Sequence, residues 1–414
     1  MDINTEVLLD LSKGPIEMDA HEDQPSFPIS MGSHSPPVSP SNLSGDRPAD
    51  AENQNPGFSH TEFRKVEKKY KLIQFPRRIA RRLPASQRTG GETFTGSDHR
   101  RDMVFRGVVD FEDLEGNTEE NRAAIRAIPI GEPGVACFGF TRVPGLIFFP
   151  GALTPEEQRF WCRAAILDFG DSARHENILS THAKSPRETT CYQPPMRWAT
   201  LGFSYQWTSQ TYRPDRHSSF PTTLRRRIEA LVRRIPANEG GEGLSLATAA
   251  TPYQPQAAIV NYYPVGTALM AHQDISEQAL EQPLVSLSLG CSAIFLMGTK
   301  SRDDAPHAFL LRSGDVAVFT GPARLAYHAV PRILDDCPEY LTIPEGELSE
   351  EERARYAHHM YFQHPMPDCS FMRVDKAAMT EEEQERYWRL CMRHMRVNIN
   401  VRQVYPEVCD FLYE

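Results

Sequence analysis

The chain has 414 residues, a formal net charge of −10 and 33 prolines, and 40% of it is hydrophobic. That is lean for a chain folded throughout, so a globular core with disordered segments is expected. No run of 18 apolar residues occurs, which argues against a transmembrane helix. The first residues carry no apolar stretch and are acidic (Asp2, Glu6, Asp10, Glu17, Asp19, Glu22, Asp23), which speaks against a secretory signal and a transit peptide. The eight cysteines form no C-x-x-C pair and read as reduced thiols, in keeping with a nuclear and/or cytoplasmic protein.

Residues 1–56 hold eight prolines and the low-complexity stretch Ser33–Ser44, without apolar periodicity. They cannot bury enough surface to offset their ordering entropy and read as a disordered tail. Residues 57–104 read as a basic extension. From Arg64 to Arg101, twelve Lys or Arg face three acids, with Phe63, Tyr70 and Phe75 among them. A solvated basic helix fits this block. So does a phosphate-tracking surface, since Arg77, Arg78, Arg81 and Arg82 repeat at helical spacing.

The main domain is expected over residues 105–414. Phe105–Asp110 reads as a short strand or anchor, and Gly145–Pro150 as a buried strand. Thr154-Pro155-Glu156-Glu157 is a capping box that opens a helix to about Asp168. Leu224, Ile228, Leu231 and Ile235 mark a second amphipathic helix. Short strands follow over Ala257–Tyr263, Leu284–Leu289, Ala293–Met297, Ala308–Leu311 and Val316–Thr320. An acidic insertion spans about 335–380, Thr380 and Glu383 cap a helix to about Met395, and a last strand runs from Arg396 to Val404. The order implies a mainly β protein with flanking helices (α+β), a sandwich or jelly roll.

His272 and Asp274 are two residues apart, so on a strand they point to one face. They supply two thirds of a facial metal triad, and His328 is the best candidate for the third ligand. Two His and one carboxylate leave three positions open, which Fe(II) needs to hold a bidentate 2-oxo acid and O2. In Arg396–Arg402 every even position is polar and every odd one β-branched. Arg396, Asn398 and Arg402 therefore share a face. If that face points inward, its arginines need anionic partners, and a dicarboxylate can supply one.

These residues resemble the AlkB-type Fe(II)/2-oxoglutarate dioxygenases. The resemblance rests on N-x-Y (Asn261, Tyr263), H-x-D (His272, Asp274), a distal His (His328) and R-x-N-x-x-x-R (Arg396, Asn398, Arg402), in that order. The stretches Ser292–Leu296, Ser313–Asp315, Arg324–Arg332 and Arg197–Gly202 are similar to the AlkB homologue 1 branch. The resemblance implies a double-stranded β-helix (jelly roll) with a nucleotide-recognition lid, here about 190–222. It implies Fe(II) on His272, Asp274 and His328, with 2-oxoglutarate and O2 as co-substrates. Arg396 would pair with the distal carboxylate of 2-oxoglutarate; Asn261, Tyr263 and Asn398 would hydrogen-bond it; Arg402 would lie between it and the substrate. Trp198, Tyr205, Trp207 and Ser276 are the candidate substrate residues, and Ser276 stands where bacterial relatives carry an acid.

The implied reaction is oxidative demethylation of bases in tRNA or in single-stranded or flipped DNA, the class of tRNA modification and DNA repair enzymes. Succinate, CO2 and formaldehyde are released. Demethylation or hydroxylation of a protein such as a histone, and a nucleic-acid-binding module with an inactive centre, are the competing readings. A monomer is expected; a mitochondrial location is suggested by the family alone. His358, His359 and Tyr361 read as solvated insertion residues, and Cys291 as packing.

Overall fold

Alternation of apolar with polar residues along Leu284–Gly290 and Met395–Arg402, and continuous apolar runs over Ala293–Met297 and Val316–Phe319, set the architecture. In the computed structural model, which describes residues 61–71, 105, 107–130, 134–171, 173–177, 197–236, 253–350, 352 and 378–413, the strands are β1 (Ile125–Ala127), β2 (Phe138–Phe140), β3 (Val143–Phe149), β4 (Trp198–Gln206), β5 (Thr211–His217), β6 (Ala257–Pro264), β7 (Leu269–His272), β8 (Leu284–Gly290), β9 (Ala293–Met297), β10 (His307–Leu311), β11 (Val316–Phe319), β12 (His328–Ile333) and β13 (Met395–Arg402). They form a nine-stranded sheet in the order β1-β2-β3-β11-β8-β13-β6-β4-β5 and a four-stranded sheet in the order β10-β9-β12-β7. The strand pairs of both sheets are antiparallel, and the two sheets make the jelly roll that the sequence predicts.

Three hydrophobic layers follow from strand periodicity. On β8, Val285, Leu287 and Leu289 join Val397, Ile399 and Val401 of β13 in a core on the large sheet's outer face. Three helices cover that core: α3 (Pro155–Ala164), α4 (Thr222–Arg233) and α6 (Glu381–Met392), through Trp161, Leu224, Ile228, Trp388 and Met392. Burying each such aliphatic side chain contributes about 1.5–3 kcal/mol before entropy is counted. Between the sheets lie Phe148, Phe295, Met297, Phe309 and Phe319. On the small sheet's far side, α1 (Glu62–Tyr70) packs Phe63 and Tyr70 against Ile294, Leu296 and Ala329. Two short helices, α2 (Glu119–Ala124) and α5 (Gly321–Arg324), complete the named set.

Both capping boxes form, with Thr154 on Glu157 and Thr380 on Glu383. The helix begun at Thr154 is α-helical only to Ala164 and continues as a π-helix over Ala165–Phe169. The helix begun at Thr380 stops at Met392 rather than near Met395, because Met395 already pairs with Pro264 as the first residue of β13. That strand ends at Arg402, two residues before Val404. Val109 anchors its segment through a parallel bridge to Phe309. Phe63 and Tyr70 are 1% and 2% exposed, so they are core residues and not stacking groups among the basic charges. The tail over residues 1–56, Phe75, the arginines Arg77, Arg78, Arg81 and Arg82, residues 190–196, and His358, His359 and Tyr361 lie outside the described residues. The six described cysteines, Cys291 among them, are free thiols. No described helix is long and apolar enough to cross a membrane.

Candidate metal centre

His272 ends β7 and His328 begins β12, and the two are cross-strand partners in the small sheet. Their rings lie 4.2 Å apart, centroid to centroid. The Nδ1 of His272 is 2.9 Å from the carbonyl oxygen of Met270, and that of His328 is 3.2 Å from the carbonyl oxygen of Ala326. A carbonyl only accepts, so each Nδ1 carries a proton, and in the neutral ring it is Nε2 that keeps the lone pair free for a metal. Asp274 lies beyond the end of β7, in the segment that follows it. The expectation that one strand carries both His272 and Asp274 is therefore corrected. Asp274 is brought back by contacts: Oδ1 is 3.9 Å from His272 Nε2 and Oδ2 is 3.8 Å from His328 Nε2. Ligand atoms of the three side chains all lie within 4.8 Å of one another.

The protonation states suit a cation. Burial, and then the neighbouring His272, lower His328 to about 4, so it is neutral at physiological pH. Burial opposes ionisation of Asp274, but Arg402, His328, His272 and Arg324 outweigh it and hold the carboxyl below the usual range. Two imidazole nitrogens and a carboxylate are a donor set that fits Fe(II) with coordination positions left open.

The large sheet supplies the neighbouring wall. Arg396, Asn398 and Arg402 are buried on one face of β13, at 1%, 7% and 3% exposure, as the alternation requires. Asn398 stands opposite Asn261 and Arg396 opposite Tyr263 on β6. Asn398 Nδ2 donates to Ser286 Oγ at 2.8 Å and to the Leu287 carbonyl at 2.9 Å. Arg396 Nη2 donates to Ser288 Oγ at 2.9 Å, while its Nε and Nη1 are buried without a partner. Burial lowers its guanidinium to about 10, which leaves it charged at neutral pH. A buried charged guanidinium with two unsatisfied nitrogens fits one carboxylate of a dicarboxylic acid. Burial likewise pushes the Tyr263 hydroxyl upward, against the opposing effect of Arg396, so it is a neutral donor.

Arg402 differs. Its Nη1 donates to Glu277 Oε1 at 3.0 Å and its Nη2 lies 3.8 Å from Asp274 Oδ2. Glu277 also accepts from Arg324 Nη2 at 2.7 Å. Burial opposes its ionisation, but Arg402 and then Arg324 keep its carboxyl below the ordinary value. Of the two arginines expected to seek anions, only Arg396 lacks one in the protein.

The sequence assigns no site role to Glu277, Arg324, Ser286 or Ser288, although Arg324 opens the Arg324–Arg332 stretch. Ser286 and Ser288 alternate with Val285, Leu287 and Leu289, a period-two signal of a polar stripe on an otherwise apolar strand. Glu277 and Arg324 carry no such local signal.

Of the candidate substrate residues, Tyr205 Oη lies 3.1 Å from Ser276 Oγ, two residues past Asp274. Trp207 is 45% exposed, with its ring 4.9 Å from Tyr205 and 5.2 Å from Trp198. Trp198 is buried and pairs with Asn261 in the large sheet. The described part of the span assigned to a lid thus extends the large sheet through β4 and β5.

Two His on the small sheet, a carboxylate just beyond the end of β7 and a buried arginine on the large sheet are the donor set and the anion site that a non-haem iron oxygenase using a 2-oxo acid needs. Residues 145–402 match the 2OG-Fe(II) oxygenase superfamily. A mouse (Mus musculus) protein, "Nucleic acid dioxygenase ALKBH1", is 30% identical over 299 residues, 67% of this chain and 68% of that protein. The Arabidopsis thaliana protein "DNA N(6)-methyladenine demethylase ALKBH1A" is 28% identical over 72% of this chain and 92% of its own length. The Schizosaccharomyces pombe protein "tRNA demethylase abh1" is 41% identical over 148 residues, 35% of this chain and 45% of that protein. The chain belongs to the 2OG-Fe(II) oxygenase superfamily, and within it to the AlkB homologue 1 branch. It is an Fe(II)/2-oxoglutarate-dependent dioxygenase.

Proposed function

We propose that the protein removes methyl groups oxidatively from nucleic-acid bases, with His272, Asp274 and His328 as metal ligands and Arg396 as the anchor of 2-oxoglutarate. Asn261, Tyr263 and Asn398 line the co-substrate's side, and Arg402 sits at its boundary with the substrate. When bound, Fe(II) and 2-oxoglutarate activate O2, so that 2-oxoglutarate becomes succinate and CO2 while one oxygen atom enters a substrate C–H bond. An N-hydroxymethyl base then loses formaldehyde, leaving the bare amine.

The protein's own contributions are positional. The Nδ1 hydrogen bonds hold both imidazoles with Nε2 inward. The unsatisfied Arg396 nitrogens give 2-oxoglutarate one orientation. The observation that carries the nucleic-acid reading is the aromatic group against the metal segment, Tyr205 hydrogen-bonded to Ser276 with Trp207 exposed beside it. Met270 and Ile275, exposed next to His272 and Asp274, add an apolar rim. Aromatic faces on which bases stack, beside a centre that cannot reach into a duplex, suit an unpaired or flipped base. The relatives named for nucleic-acid, DNA and tRNA substrates support the same reading.

The test is to incubate the full chain with Fe(II), 2-oxoglutarate and O2, offering methylated DNA and RNA oligonucleotides and methylated histone peptides in parallel. Loss of the methyl group from an oligonucleotide, matched by succinate, is the expected result. Turnover of the peptides alone would replace this reading with the protein-substrate one.

A further inference from the structure

Asp274 is the metal-facing carboxylate, yet Gln273–Glu277 belongs to no helix or strand. A ligand on such a segment needs another source of order, since metal affinity falls when ligands must be organised on binding. The surroundings supply one. Arg324, 3% exposed, donates through Nη1 to the Asp274 carbonyl oxygen and through Nη2 to Glu277 Oε2 at 2.7 Å. The other oxygen of Glu277 accepts from Arg402 on β13 at 3.0 Å. Gln273 Nε2 donates to the Leu325 carbonyl at 2.7 Å. Arg324 and Leu325 lead directly into His328, whose Nδ1 rests on the carbonyl of Ala326.

We propose that Arg324 and Glu277 are positioning residues of the metal centre: a buried clamp that ties the Asp274 segment to the turn leading into His328 and to β13, so that ligands from separate strands hold one geometry before metal arrives. The inference rests on His272, Asp274 and His328 being the metal ligands.

Charge and shape both support it. Arg324, Arg402, Glu277 and Asp274 are two cations and two anions, so the buried group is neutral without a metal. Breaking such a group leaves an uncompensated buried charge. Arg324 reaches Asp274 and Glu277 at once because a guanidinium presents several donors in a fixed plane; a lysine ammonium is a point charge on a flexible stem. Glu277 touches two arginines and neither histidine ring in the hydrogen bonds it makes, so its role is to aim Asp274 and not to bind the ion.

The experiment uses the full chain, stripped of metal by a chelator and titrated with Mn(II) as the probe. Changing partners outside the ligand shell typically weakens metal affinity 10–100-fold. Arg324→Met and Glu277→Gln are each expected to weaken Mn(II) binding by about that factor. Arg324→Lys, which keeps the charge beside Glu277, should fold and still lose at least about fivefold, because it restores charge without the two-point reach. The d–d spectrum of the Co(II)-loaded Arg324→Lys protein should also shift, a readout that a purely structural role would not move. Mn(II) affinity and Co(II) spectrum both unchanged in Arg324→Lys would overturn the clamp. His272→Ala separates the two levels: if it too binds Mn(II) as the unaltered protein does, the ligand assignment has failed rather than the clamp.

Discussion

Arg396 and Tyr263 face each other across β13 and β6, and the Arg396 guanidinium has two buried nitrogens without a partner. Among the described residues, Arg396 takes part in no ion pair, whereas Arg402, on the same face of the same strand, is held by Glu277. The contrast separates a cation that meets no anion in the protein from one whose anion the scaffold supplies. Removing one member of a buried charge pair costs roughly 3–5 kcal/mol. Arg396→Ala should therefore raise the 2-oxoglutarate concentration needed for half-maximal succinate release by roughly 150–4,000-fold. Mn(II) affinity should change little. An unchanged 2-oxoglutarate requirement would remove Arg396 from that role.

His272→Ala and Asp274→Ala each take one of three donors from a site with positions already open. Both proteins should stay folded, with melting temperatures near that of the metal-free parent, and should purify without iron. Atomic absorption measures this directly; a full equivalent of iron in either variant would exclude that residue as a ligand. Chelation of the unaltered protein should abolish succinate release, and Fe(II) should restore it.

Trp207 is the exposed member of the aromatic group beside the metal segment. Stacking on a base contributes about 1–3 kcal/mol. Trp207→Ala should weaken single-stranded oligonucleotide binding by roughly 5–150-fold, measured by fluorescence anisotropy. Metal and 2-oxoglutarate affinities should not move. Equal oligonucleotide affinity in the variant would assign the ring to packing on Tyr205 and Trp198.

His175 is buried, 3.0 Å through Nδ1 from Ser218 Oγ, and burial, then Arg174, lower it to about 4. Its ordinary value is about 6.5. Between these values the unfolded chain holds more protons than the folded one, so stability rises with pH. The contribution is complete above about 6.5 and is lost as pH falls toward 4, on the order of 3 kcal/mol. Urea unfolding of metal-free protein across that range should show the loss. His175→Gln should flatten the slope, and an unaltered slope would place the linkage elsewhere.

Local patterns in the chain were sufficient for a good part of the molecule. Alternation along Arg396–Arg402 told which side chains turn inward, because side-chain direction in a strand has a period of two whatever the strand packs against. Thr154 and Thr380 announced their helices, because a capping box is closed within four residues. The order of N-x-Y, H-x-D, the distal His and R-x-N-x-x-x-R carried the family and with it the iron chemistry. Tertiary structure alone decided what each buried charge meets. Glu277 lies 125 residues from Arg402 and 47 from Arg324. The pairing depends on the register of β13 against β8 and on the turn before β12, and nothing within a few residues of Glu277 encodes either. The same holds for Asp274, which H-x-D spacing put on a strand and the fold puts in the segment beyond it. Its direction comes from Arg402, Arg324 and the two histidines, contacts between parts of the chain that only folding brings together.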